Sequence, residues 1–200
     1  MSRWILRSTG EDVAELGGFE ILLADPAWQY NVAGGRGAAD KHYSTMSLAE
    51  LCMLPVEKLA APNAVLFMWA TWPTFLDAYA LMKAWSFDYK NCGFLWAKVN
   101  KVAPTPFVGL GHWTRGNTEP CLMGVRGKPA RIDAAVQQLV MDDLVVAPIG
   151  EHSAKPAVVR ERILQLMGDV PAIELFSRQQ APGFDSWGNE VESTVILERS

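Results

Sequence analysis

Cysteine is scarce in this chain of 200 residues, and the three present, Cys52, Cys92 and Cys121, stand far apart. They form no CxxC pair and their number is odd, which speaks against a disulfide framework and a structural zinc site. The histidines, His42, His112 and His152, show no paired metal-ligand spacing, so no metal is expected. Long hydrophobic runs are missing too: none approaches the roughly 20 residues that span a bilayer. The charged start, Met1-Ser2-Arg3-Trp4-Ile5-Leu6-Arg7, leads into no apolar segment of signal-peptide type. The expectation is a cytoplasmic protein with no membrane partner. Three fingerprints are also lacking. Gly34, Gly35 and Gly37 are followed by no Gly-Lys-Ser/Thr, and neither GxGxxG nor GxSxG occurs. Nucleoside-triphosphate, dinucleotide and serine-hydrolase chemistry lose their usual support. A strong positive charge is absent as well: the net charge is −4, which disfavours strong nonspecific binding to nucleic acid.

Half of the residues are hydrophobic and a fifth are charged, the balance of one folded domain over residues 1–200. The charge is uneven. Between Lys83 and Arg131 eight cations face two carboxylates, a local +6 that leaves −10 elsewhere. A basic middle of this kind suits phosphates, with Lys128 and Arg131 as candidates, but it equally suits a solvated surface.

The pattern along the chain predicts alternating strands and helices. Residues 1–18 form a weakly specified lead-in. The apolar run 19–24 predicts a buried strand, and 31–46 a mobile glycine-containing loop. Ser47 and Glu50 have capping-box spacing for a helix that Pro55 breaks or restarts. Strands are predicted over 64–70, 91–99, 119–125, 144–147 and 172–176, and helices over 71–85 and 155–167. A long connection, 100–118, and a glycine-containing tail complete the chain. Apolar strands alternating with helices imply a mostly parallel sheet covered on both faces, with ligands beyond the carboxyl ends of its strands.

Asp25-Pro26-Ala27-Trp28 ends the first such strand. A carboxylate there can accept a hydrogen bond from an exocyclic amine, the turn can aim a carbonyl at the same nitrogen, and Trp28 can stack on a flat base. The ordinary alternative is a proline turn with no further role. Lys155, beside His152 and Ser153 at an expected helix start, can meet a ligand carboxylate, or be a solvated lysine on an ordinary cap. Glu174-Leu175-Phe176-Ser177-Arg178 and Trp187-Gly188-Asn189-Glu190 offer groups suited to ribose hydroxyls, or only a strand end and a polar turn.

Together these segments resemble the adenine-N6 methyltransferase family that contains the eukaryotic messenger-RNA adenosine methyltransferase and many bacterial and phage DNA methyltransferases. The resemblance runs from about Phe19 to Val191. It includes the DPPW-type turn at 25–28, His42-Tyr43-Ser44-Thr45-Met46-Ser47, Leu95-Trp96-Ala97-Lys98, Gly111-His112-Trp113-Thr114-Arg115, Glu119-Pro120-Cys121-Leu122 and His152-Ser153-Ala154-Lys155-Pro156. It implies a Rossmann-like, S-adenosylmethionine-dependent methyltransferase fold of permuted order, with the catalytic turn N-terminal and the cofactor motifs C-terminal. It implies Asp25, Pro26, Ala27 and Trp28 as catalytic. It places Asp25, Lys155, Phe176, Ser177, Arg178, Asn189 and Glu190 at the cofactor, with Lys155 on its carboxylate and Asn189 and Glu190 on its ribose. Tyr30, His42, Tyr43, Arg115, Asn117 and Glu119 would meet the target nucleotide. For Arg115 and Glu119 the alternative is a mutual surface ion pair.

Two departures stand out. Ala27 replaces the usual second proline, and Leu6-Arg7-Ser8-Thr9 offers no acid to read the cofactor adenine. The expected reaction is methylation of adenine N6 in nucleic acid, DNA rather than RNA, by a bacterial or phage protein, alone, as a homodimer or with a partner subunit. The competing reading is a methyltransferase-like subunit that binds nucleic acid without catalysis. Methylation of a protein amide fits Asp25 poorly.

Overall fold

The computed structural model describes residues 4–8, 13, 17–29, 45–100, 105–109, 113–143 and 154–199. β1 (Trp4–Ser8) pairs antiparallel with β9 (Val195–Arg199), so part of the expected lead-in is a strand. The apolar run after it forms β2 (Phe19–Ala24), the strand that the sequence predicts. Ser47 then caps α1 (Leu48–Cys52): its hydroxyl accepts the Glu50 amide, and the Glu50 carboxylate accepts the Ser47 amide. Pro55 restarts the helix as α2 (Val56–Leu59). β3 (Ala60–Trp69) begins four residues earlier than its apolar run. A 3-10 turn over Trp72–Thr74 leads into α3 (Phe75–Ala84).

Next come β4 (Asp88–Val99), β5 (Thr118–Arg126) and β6 (Leu139–Asp143). The strand predicted over 144–147 and residues 31–44 of the loop predicted over 31–46 lie outside the described residues, and no strand is predicted over β6. α4 (Val158–Met167) starts three residues after Lys155, because Pro156 and Ala157 form the turn that precedes it. β7 (Ala172–Leu175) and β8 (Asp185–Trp187) follow.

Seven strands form one sheet in the order β6-β4-β5-β3-β2-β7-β8. Every neighbouring pair is parallel except the two that involve β5. The carboxyl ends of β2, β3, β4, β7 and β8 therefore share one edge of the sheet, and β5 enters the sheet at that same edge.

Side chains alternate across the strands, so each face has its own core. Leu22, Leu66, Met68 and Leu122 pack on one side with Leu51, Leu81, Met82 and Trp85 from the helices. The Trp85 indole donates to the Leu51 carbonyl at 3.0 Å, tying α1 to the end of α3. On the other side Ile21, Leu23, Phe67, Trp69, Phe94 and Trp96 meet Val159, Ile163 and Met167 of α4. Each such fully buried side chain contributes about 1.5–3 kcal/mol, so both faces hold the sheet and its working edge in place.

Candidate active site at the carboxyl edge of the sheet

β2 and β7 are neighbours, the fifth and sixth of the seven strands in sheet order. Onward from them the chain goes to opposite sides, to β3 from β2 and to β8 from β7, which opens a crevice between their ends. Asp25 leaves β2 on one wall. On the other, Phe176 takes φ +61, a left-handed backbone rare for a bulky residue and a frequent mark of functional turns. It swings Ser177 and Arg178 toward the crevice and packs edge-on against Trp187 with ring centroids 5.3 Å apart. The resulting cleft, about 280 Å³, is lined by Asp25, Ala27, Met46, Phe176, Ser177, Arg178, Trp187, Gly188, Asn189 and Glu190. A second hollow of about 130 Å³ shares Asp25, Phe176 and Arg178 with it and adds Lys155, Arg160, Glu174 and Gln179.

The turn itself is braced from several sides. The Trp28 amide donates to the Pro26 carbonyl at 2.8 Å, and the Met46 amide to the Ala27 carbonyl at 2.9 Å. The Pro26 carbonyl thus holds one hydrogen bond, and its second lone pair remains as acceptor capacity. The Trp28 indole donates to the Trp69 carbonyl at 3.2 Å, and only 8% of the residue is exposed. This corrects the expectation of a free stacking face: the ring belongs to the core and ties the turn to β3, and neither hollow includes it.

Charges at the site are paired. Lys155 Nζ lies 2.9 Å from Asp25 Oδ2 and 3.6 Å from Glu119 Oε2, and Lys98 Nζ pairs with Glu119 Oε1. Glu119 is therefore engaged by two lysines, and the alternative of a surface pair with Arg115 does not hold. Arg115 is exposed, and the Asn117 carbonyl accepts the Lys98 amide. Arg160 grips Glu174 with two bonds of 2.8 and 2.7 Å. Arg178 and Glu190 are more exposed and 4.0 Å apart, a contact that contributes little. The three cysteines are free thiols, and burial pushes the Cys121 thiol well above its ordinary range, so it is an inert neighbour of this cluster.

The seven residues expected at a cofactor from sequence all converge: Asp25, Phe176, Ser177, Arg178, Asn189 and Glu190 line one cleft, and Lys155 the adjoining one. Tyr30, His42, Tyr43, His152 and Ser153 lie outside the described residues. The basic middle does not make one face. β5 carries the chain away from the cleft, so Lys128 and Arg131 follow its far end, about 24 Å along the strand from Glu119 at some 3.4 Å per residue. Phosphate contacts by Lys128 and Arg131 would therefore lie away from the cleft. Arg126 donates to the Glu57 carbonyl and Lys83 pairs with Asp88, so both serve the fold.

Sequence reasoning missed Met46, Gln179, Arg160 and the close approach at Gly188. A Cβ on Gly188 would meet the Ser177 carbonyl oxygen at 1.9 Å, so the turns after β7 and β8 lie back to back only with glycine there. Gly188→Ala should force these turns apart and weaken ligand binding in the cleft by about tenfold or more, an effect of about 1.4 kcal/mol that calorimetric titration will measure. A larger hollow of about 400 Å³, mostly apolar with Phe67, Phe94, Met123 and Leu166 in its walls, opens elsewhere on the sheet. It takes in none of the residues of the braced turn.

Sheet and cleft define a mixed α/β protein with a cleft at the carboxyl edge of a largely parallel sheet, consistent with a methyltransferase fold. The pattern of the MT-A70 family matches residues 19–190, and the chain belongs to that family. It is 30% identical to the type II methyltransferase M.MunI of a Mycoplasma species, over 89% of this chain and 80% of that protein. It is 26% identical to the human N(6)-adenosine-methyltransferase catalytic subunit METTL3, over 94% of this chain but 30% of that protein. The MT-A70-like protein of Arabidopsis thaliana is 27% identical over 98% of the chain and 27% of its own length. The chain thus spans under a third of these eukaryotic relatives.

Proposed function

We propose that this chain is an S-adenosylmethionine-dependent methyltransferase acting on the exocyclic N6 amine of adenine in DNA. One observation carries the reading: Asp25, the cations Lys155 and Arg178, and the polar pair Asn189 and Glu190 meet in two adjoining hollows at one sheet edge. This set fits the cofactor chemically, with a cation for its carboxylate, acceptors for its ribose hydroxyls and the Phe176 and Trp187 rings as apolar wall. When bound, that cofactor supplies an electrophilic methyl group on a positively charged sulfur.

The chain's own work is alignment and electrostatics. Asp25 takes a hydrogen bond from the target amine, and the Pro26 carbonyl a second one, which draws the nitrogen out of conjugation with its ring. Lys155, in the hollow that also includes Asp25, would hold the cofactor carboxylate. Arg115, exposed in the connection that enters β5, meets the displaced base or its neighbours, since such a base must leave its stack. The scatter of basic residues favours a second copy or a partner subunit as the source of further phosphate contacts. The 30% identity to M.MunI over most of both chains favours DNA.

The test incubates the purified chain with methyl-labelled S-adenosylmethionine and matched DNA and RNA pools, then digests and separates the nucleosides. Labelled N6-methyldeoxyadenosine is expected. Label confined to the RNA pool overturns the substrate, and label in neither, with cofactor bound, overturns the enzyme in favour of a binding subunit.

A further inference from the structure

Four ionised side chains, from β4, β5, the turn after β2 and the segment before α4, form a row of alternating sign: Lys98, Glu119, Lys155, Asp25. Lys98 and Glu119 are diagonal neighbours on one face of the β4–β5 ladder, where Trp96 stands opposite Glu119. Both are largely withdrawn from water, with 15% and 13% of their side chains exposed. The row rests on aromatic faces. Lys98 Nζ sits 4.9 Å from the Trp96 ring centroid and Lys155 Nζ 5.7 Å from that of Trp69. The two rings pack edge to face at 6.4 Å. Lys98 lines neither hollow of the site.

With both lysines in place, two ammonium groups serve two carboxylates. Lys98 holds one oxygen of Glu119, and Lys155 stands 3.6 Å from the other while it lies 2.9 Å from Asp25. Lys155 is thereby left on the cleft side. Without Lys98, Lys155 would be the one ammonium ion-paired with both carboxylates among the described residues, and Glu119 is the one with less water, 13% exposed against 31% for Asp25. A less hydrated charge attracts a counterion more strongly. Lys155 would be drawn from the cleft toward Glu119.

We propose that Lys98 is a positioning residue: by neutralising Glu119 it keeps Lys155 at the cleft, available to a ligand carboxylate. The inference rests on the reading of the cleft as a cofactor site, and it makes a distinction that general damage to the fold would not. Only ligands that carry the carboxylate should sense Lys98.

The experiment measures binding of S-adenosylhomocysteine and of 5′-methylthioadenosine, which lacks the amino-acid group, by calorimetry on the full chain. Lys98→Gln should weaken the first by about tenfold and leave the second within about twofold, and Lys98→Arg should restore the first. A second comparison covers a Lys98→Gln protein that folds poorly. In a Glu119→Gln background no excess negative charge competes for Lys155, so adding Lys98→Gln there should leave S-adenosylhomocysteine binding unchanged. Equal losses for both ligands, no loss for either, or a loss in the Glu119→Gln background would overturn the role of Lys98. Failure of the unaltered protein to bind either ligand would instead overturn the cofactor reading itself.

Discussion

Asp25→Ala should cut methyl transfer by about two to three orders of magnitude, the usual cost of losing a preorganised hydrogen-bonding group at a reaction centre. The loss should fall on kcat, with cofactor affinity changed far less, because Lys155, Arg178, Asn189 and Glu190 remain to hold the ligand. The fold should survive. Asp25 follows the last residue of β2, its side chain is 31% exposed, and Lys155 keeps Glu119 as a partner. Asp25→Asn sharpens the result, since it preserves shape and removes the anion. Single-turnover rates beside a thermal melt separate the two effects. A variant with full activity and a normal melt would remove Asp25 from the chemistry.

The second large effect concerns stability. Glu174 belongs to β7, is 8% exposed, and has Arg160 locked on it through two bonds. Arg160→Met leaves a carboxylate in the sheet without this counterion, and breaking a buried pair from one side costs about 3–5 kcal/mol. Some 15% of the Arg160 side chain reaches solvent, which favours the lower end. The Tm should fall by about 6–12 °C at roughly 2–4 °C per kcal/mol for a chain of this size. Arg160→Met combined with Glu174→Met should recover most of the loss, because no unpaired charge remains. Urea unfolding curves with equal slopes will show whether stability alone has changed. A single variant as stable as the parent would mean that other groups compensate Glu174.

How far the sequence reveals this arrangement depends on the range over which each feature is encoded. The β2 strand, the Ser47 cap and the restart at Pro55 are written in four to eight consecutive residues, and they form as predicted. The early start of β3 is hidden because Pro62 and Asn63 look like a turn; Ala60 nonetheless pairs with Phe19 of β2, ahead of Ala64, where pairing with β5 begins. β6 was invisible: at the sheet edge Leu139 and Met141 stay exposed, so no buried apolar run marks it. The residues that a resemblance of motifs assigns to a cofactor do gather in two adjoining hollows. The row of charges is not legible, since Lys155 and Asp25 stand 130 residues apart and nothing local reports that they touch. Arg160 had a legible clue, because a carboxylate inside Ala172-Ile173-Glu174-Leu175 requires a partner. The burial of Trp28 had none, as an aromatic ring suits a core and a base equally well.

The reversed direction of β5 has a bearing on how such proteins diversify. A chain that leaves β4 and re-enters the sheet at the same edge need not cross it, so the span between Val99 and Thr118 is free of the length that a crossover imposes. That span bears Arg115, while Asp25 follows β2, Lys155 precedes α4, and Ser177 and Arg178 follow β7. Residues can be inserted or exchanged in it without disturbing the register of any of those strands. If Arg115 meets the target as proposed, such a span would act as a replaceable cassette clipped onto a fixed engine, and transplanting it between relatives is the direct test.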